Sequence, residues 1–138
     1  MIQSLSDNQF TIEQAVHSAA RRLRAANVEQ ETAAGVVLAI IEALGNVARH
    51  ACKPFEPLRF ELLLEVKRGC IVVDVVDYGP GFELRRATMP DPFAESGRGI
   101  PLMQRFCDSL EYRRGRSRNH LILRKRLAEA RQSGIAAR

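Results

Sequence analysis

The chain has little of what staples or anchors a protein. Its three cysteines, Cys52, Cys70 and Cys107, are odd in number, widely spaced and without a Cys-x-x-Cys pair, which argues against a disulfide framework and a cysteine zinc site. No stretch approaches the roughly 20 uncharged apolar residues of a membrane span. The segment Met1-Ile-Gln-Ser-Leu-Ser-Asp7 has no basic region followed by an apolar one, so it does not read as a leader. These absences predict a cytoplasmic protein without membrane contact. There is no internal repeat and no low-complexity tract. Aromatics are only 6% of the residues, and none is interleaved with the charges of Arg113-Arg-Gly-Arg-Ser-Arg118 or Arg124-Lys-Arg126, which supply much of the net charge of +5. Base stacking needs such rings. The basic region is therefore expected to be a solvated face or to meet an acidic protein, with no direct nucleic-acid role.

What is present suits one core. The 138 residues, 46% of them hydrophobic, predict a single domain over 1–138 with its core at about 10–126 and a C-terminal extension at 127–138. Thr11-Ile-Glu-Gln14 fits a capping box, with Phe10 before the cap, and Ile12, Ala15, Val16, Ala19, Ala20 and Leu23 recur at helical spacing. This first helix is expected to end near Asn27. A second, more buried helix is expected from Glu29 to Ala51, since residues 33–41 carry no charge; Pro54 and Pro57 then break the chain.

Phe60, Leu62, Leu64 and Val66 alternate with Glu61, Leu63, Glu65 and Lys67, which is strand periodicity. Arg68-Gly69 supplies a turn into the β-branched run Ile71–Val76, giving an antiparallel hairpin with one face on the helices. Residues 83–97 form a long connection that reads as a lid. A short helix at 100–107, strands at 109–114 and 120–126, and a fraying helical tail complete the pattern. Helices first, then strands with one late helix, predict an α+β fold: a two-layer sandwich with an antiparallel or mixed sheet and helices on one face.

Three segments carry candidate chemistry. On the second helix, Glu42, Asn46, Arg49 and His50 form a narrow polar stripe spaced i, i+4, i+7 and i+8. The stripe faces either water or a ligand. In the second case Asn46 offers an amide oxygen to Mg²⁺, a hard cation, and Glu42 takes a proton from a hydroxyl. Next, Asp77-Tyr-Gly-Pro-Gly81 closes a strand. It is either a tight turn made of ordinary turn residues or a site where Asp77 accepts a hydrogen bond from an adenine amino group, with Gly79 and Gly81 allowing close backbone approach. Finally, Ser96-Gly-Arg-Gly-Ile-Pro101 opens a helix. Free N–H groups and the macrodipole at such a start bind phosphate oxygens, and Arg98 can add a charge-assisted contact; a bare helix start has the same composition.

In that order, with a lid-length gap before the last, the segments resemble the N, G1 and G2 boxes of the GHKL ATPase/kinase superfamily, which has the Bergerat fold. Within it, Glu42-Ala-Leu-Gly-Asn-Val-Ala-Arg-His-Ala51 and Gly97-Arg-Gly-Ile-Pro-Leu-Met103 are most similar to the anti-sigma-factor serine kinases. The resemblance implies ATP and Mg²⁺ as cofactors, Glu42 as general base and Asn46 as the metal ligand. It also implies Asp77, Gly79, Gly81, His50, Gly97, Arg98, Gly99 and Ile100 as nucleotide-binding positions. The implied activity is phosphorylation of a serine on a STAS-type anti-anti-sigma protein, with sequestration of a sigma factor, usually by a homodimer. The sequence departs from the pattern at Arg118-Asn119-His120, where Gly-Thr is common, and at Ser96, where a further glycine is frequent.

Two other readings compete. A nucleotide-gated binding protein would keep the pocket without turnover, and Glu42 argues against it. A histidine-kinase catalytic part would be preceded by a dimerisation hairpin carrying a phospho-acceptor histidine, whereas His17 sits in a short first helix.

Overall fold

The computed structural model describes residues 2–6, 9–51, 59–81 and 99–128. In chain order they form β1 (Ile2–Ser6), α1 (Gln9–Ala25), α2 (Gln30–Ala51), β2 (Arg59–Lys67), β3 (Cys70–Asp77), α3 (Gly99–Phe106), β4 (Ser109–Arg114) and β5 (Asn119–Arg126). The strands make one sheet in the order β1-β2-β3-β5-β4, and all four pairings are antiparallel.

The alternation of β2 decides which face is covered. Phe60, Leu62 and Leu64 are buried, while Glu61 and Leu63 between them are only half-buried. Register then carries apolar rows across the sheet: Leu62 opposes Val75, which opposes Leu121, and Leu64 opposes Val73, which opposes Leu123. All six are at most 3% exposed. Each fully buried side chain of this size contributes roughly 1.5–3 kcal/mol of transfer free energy, so these rows set the register; a slip of one residue would turn them all to water.

Against that face lies α2, whose Val36, Ala39, Ile40, Ala43, Leu44 and Val47 join the core with Ala15, Ala19 and Leu23 of α1 and Met103 of α3. By length and composition alone Gln30–Arg49 could cross a membrane, but in this fold one side of it packs on the core, while Leu38 and Ile41 stay exposed. The fit between α2 and α3 depends on Gly35, where an added Cβ would lie 2.9 Å from Phe106 Cδ1.

α1 ends in a Schellman-type stop. Asn27 takes φ +61°, Val28 N–H donates to the Leu23 carbonyl and Asn27 N–H to that of Arg24. Asparagine tolerates the left-handed conformation, and Val28 packs on the core beside it. The expected end near Asn27 is thus realised.

The expected start is not. α1 begins at Gln9, which puts Thr11 inside the helix and not at its cap. Strand β1 was not anticipated either: it holds only two large apolar residues and gains its backbone partners from β2, as in Leu5 opposite Phe60. The lid at 83–97 and the helical tail lie outside the described residues.

Candidate functional site

The apolar rows of the sheet give way to a polar one at a single end. Continuing the register beyond Leu62 and Val75 places Phe60, Asp77, Asn119 and Arg114 in one row, on the same face as the core. Asp77 is 6% and Asn119 2% exposed. Burying a carboxylate is costly unless hydrogen bonds replace its water, and here they do. Asp77 Oδ1 accepts from Gly79 N–H at 2.9 Å and from Asn119 Nδ2 at 2.9 Å. The same Asn119 amide also donates to the Gly79 carbonyl at 3.0 Å. Among the described residues no donor reaches the other carboxylate oxygen, Oδ2, which remains available to a ligand's N–H.

The turn after β3 is held against β4. Gly81 adopts φ +85°, and a Cβ there would lie 2.8 Å from Arg114 Nε, so only glycine fits both the conformation and the approach. Arg114 donates to the Pro80 carbonyl at 3.1 Å. Tyr78 leaves this row for the outer side, where its hydroxyl donates to Glu61 and Arg59 stacks 4.2 Å from its ring centre. The carboxylate acceptor, helped by partial burial, holds the Tyr78 hydroxyl above its ordinary pKa.

On α2, Glu42 and Asn46 share a face one turn apart. Asn46 is buried and Glu42 half-buried. Arg49, exposed at the surface, donates to Asn46 Oδ1 at 2.5 Å. That contact fixes the amide orientation, since the reverse would set two donors against each other. It leaves Asn46 Nδ2 as a buried polar atom without a partner among the described residues. An orphaned buried donor beside an amide oxygen fits a site for a phosphate chain with its cation. Among the described residues no cluster of three or more His, Cys, Asp or Glu could cage a metal alone; Asn46 Oδ1 would be the oxygen offered to a magnesium ion here.

The site residues therefore fall into three groups. Glu42 and Asn46 come together on α2, with His50 on the same helix and its side chain outside the described residues. Asp77, Gly79 and Gly81 come together in the β3 turn. Gly99 and Ile100 open α3, while Gly97 and Arg98 lie outside the described residues, as does any contact of theirs with the first two groups. Asn119 was visible in the sequence only as a departure from a pattern, yet it holds Asp77 directly. The signal that could have found it is parity: it lies two residues before Leu121, so a polar side chain occupies a position facing the core.

The chain belongs to the histidine kinase-like ATPase domain family, whose model matches residues 5–125. Serine/threonine-protein kinase BtrW of Bordetella bronchiseptica is 34% identical over 89 residues, 59% of this chain and 62% of that protein; the match thus spans about three-fifths of the curated relative. A chain of the SiaB–SiaC complex from Pseudomonas aeruginosa superposes with TM-score 0.59 at 14% identity, covering 90% of this chain and 89% of that one. The catalytic domain of histidine kinase ThkA superposes with TM-score 0.59 at 13% identity, covering 90% and 95%. At such identities these two structures establish the fold: this is the Bergerat-type sandwich expected from the three sequence boxes.

Proposed function

We propose that this protein is an ATP-dependent serine kinase of the anti-sigma-factor type, acting in the cytoplasm on a STAS-type anti-anti-sigma protein and sequestering a sigma factor as a homodimer. The observation that carries the nucleotide reading is the buried Asp77 carboxylate, with one oxygen saturated by Gly79 and Asn119 and the other left for an adenine amino group. Guanine would present a carbonyl there and be rejected. Kinship with the serine/threonine-protein kinase BtrW supports transfer to a protein hydroxyl.

In this reading Asn46 Oδ1 would hold Mg²⁺, which would supply charge neutralisation to the phosphate chain. Asn46 Nδ2 would donate to the phosphate chain, and His50, Gly97, Arg98, Gly99 and Ile100 are the further nucleotide-binding positions of this reading. Glu42 accepts the proton of the substrate serine as its oxygen bonds the γ-phosphorus and the bond to the β-phosphate oxygen breaks, releasing ADP. Phosphoryl transfer asks chiefly for such positioning and charge stabilisation.

The test is incubation of the protein and its Glu42→Ala variant with labelled ATP and a STAS-domain protein encoded beside it. Phosphoserine formed by the parent and lowered about 10²–10⁴-fold in the variant, with ATP binding retained, supports the kinase. ATP binding without transfer by the parent leaves a nucleotide-gated binding protein.

A further inference from the structure

The basic segment expected to be a solvated face or to meet an acidic protein is the tip of the β4–β5 hairpin, and it stands beside the Asp77 turn. Arg113, Arg114, Gly115, Arg116, Ser117, Arg118 and His120 line a shallow cavity of about 250 Å³. Gly115 makes the tight tip, since a Cβ there would lie 2.5 Å from the Arg118 carbonyl oxygen. Among the described residues the carboxylates nearby are already committed. Glu111 takes Arg113 at 2.6 Å and Arg124 at 3.1 Å, Asp74 takes His120 at 3.0 Å, and Glu61 takes the Tyr78 hydroxyl. Among the described residues Arg114 reaches only the neutral Pro80 carbonyl, and Arg118 meets the Tyr78 hydroxyl. Three guanidinium groups, on Arg114, Arg116 and Arg118, therefore have no carboxylate partner among the described residues.

We propose that the β4–β5 hairpin is a docking surface for an acidic segment of a partner protein. Its charge is carried by arginine alone, whose planar fork pairs two-pronged with carboxylates, and charge complementarity of this kind steers encounter and fixes register. Nucleic acid fits less well. The cavity wall holds no Phe, Tyr or Trp to stack a base; its one ring, His120, is tied to Asp74, and nearby the Tyr78 ring is covered by Arg59. Through Arg114 and Pro80 the docked segment would sit against the turn that carries Asp77. The surface adds a partner contact to the kinase reading without depending on it, because docking is measured in the absence of nucleotide.

The test uses the full chain and a fluorescein-labelled polyglutamate peptide, followed by anisotropy, with duplex DNA as the competing polyanion. Arg116→Ala/Arg118→Ala should weaken peptide binding roughly tenfold, as expected for two charge-assisted contacts. The charge-matched control Arg21→Ala/Arg22→Ala, on exposed positions of α1, should change it little. Amide shifts in the unaltered chain should move at residues 114–118 and at Gly81. Equal weakening by both variants, shifts scattered over the surface, or tighter binding of DNA than of peptide would overturn the proposal. Mg·ATP affinity of the hairpin variant, measured in parallel, reports separately on the nucleotide site.

Discussion

Asn119 and Asp77 face each other across the β3–β5 ladder and are joined side chain to side chain, Nδ2 to Oδ1 at 2.9 Å. Because Asn119 also grips the Gly79 carbonyl, it fixes both the carboxylate and the turn that follows. Removing it leaves the Asp77 carboxylate held by Gly79 N–H alone among the described residues and costs a buried hydrogen bond worth about 1–3 kcal/mol. Asn119→Ala is expected to weaken ATP binding roughly tenfold and to reduce the preference for ATP over GTP by a similar factor. Competition against a fluorescent adenine nucleotide measures both. A loss of affinity equal for the two nucleotides would show that Asn119 supports the fold and not the reading of the base.

How far such features can be read from residues alone depends on whether the cause is local. The core rows are legible because alternation in β2 and the β-branched run of β3 state which side chains point inward. The pair Glu42 and Asn46 is legible because helical spacing puts them on one face. β1 is not: Ile2-Gln-Ser-Leu-Ser6 has weak periodicity and is a strand because β2 offers it an open edge. Nor is the bond from Tyr78 to Glu61, which spans 17 residues and requires the β2–β3 register first. The role of Asn119 needed the same register.

Packing between α2 and α3 gives a stability prediction. Replacing Gly35 by alanine should gain about 1 kcal/mol in helix propensity, but the new Cβ meets the Phe106 ring at 2.9 Å and overpacking costs about 1–3 kcal/mol. The net is a loss of roughly 1 kcal/mol, read as a lower urea midpoint. Phe106→Leu in the same background should recover part of it, and additive losses in the double variant would deny the contact.

Alkaline pH should find Cys107. Burial pushes its thiol from 9.0 up to about 11, so between these values the folded protein holds a proton that the unfolded chain releases. Stability contributed by this group is complete below pH 9.0 and is lost as pH rises toward about 11. Cys107→Ala should flatten this part of the stability curve. At neutral pH a thiol reagent should modify Cys107 only on unfolding and Cys70, which is half-buried, in the native state.

Arg49 and the proposed magnesium ion compete for one atom. The guanidinium donates to Asn46 Oδ1 at 2.5 Å, and a dication cannot share that oxygen with a fixed positive charge so near. On the proposed assignment, magnesium entry would require Arg49 to let go. Arg49→Ala is expected to raise the apparent Mg²⁺ affinity in the presence of ATP by roughly five-fold, as for loss of one partly exposed charge-assisted bond. The gain should shrink at high salt, because Arg49 is exposed and its charge is screened. Calorimetric titration of Mg²⁺ into the protein with ATP checks this, alongside a titration of ATP in chelator to isolate the metal-free step. Weaker Mg²⁺ binding in the variant would assign Arg49 to the phosphates and not to the amide.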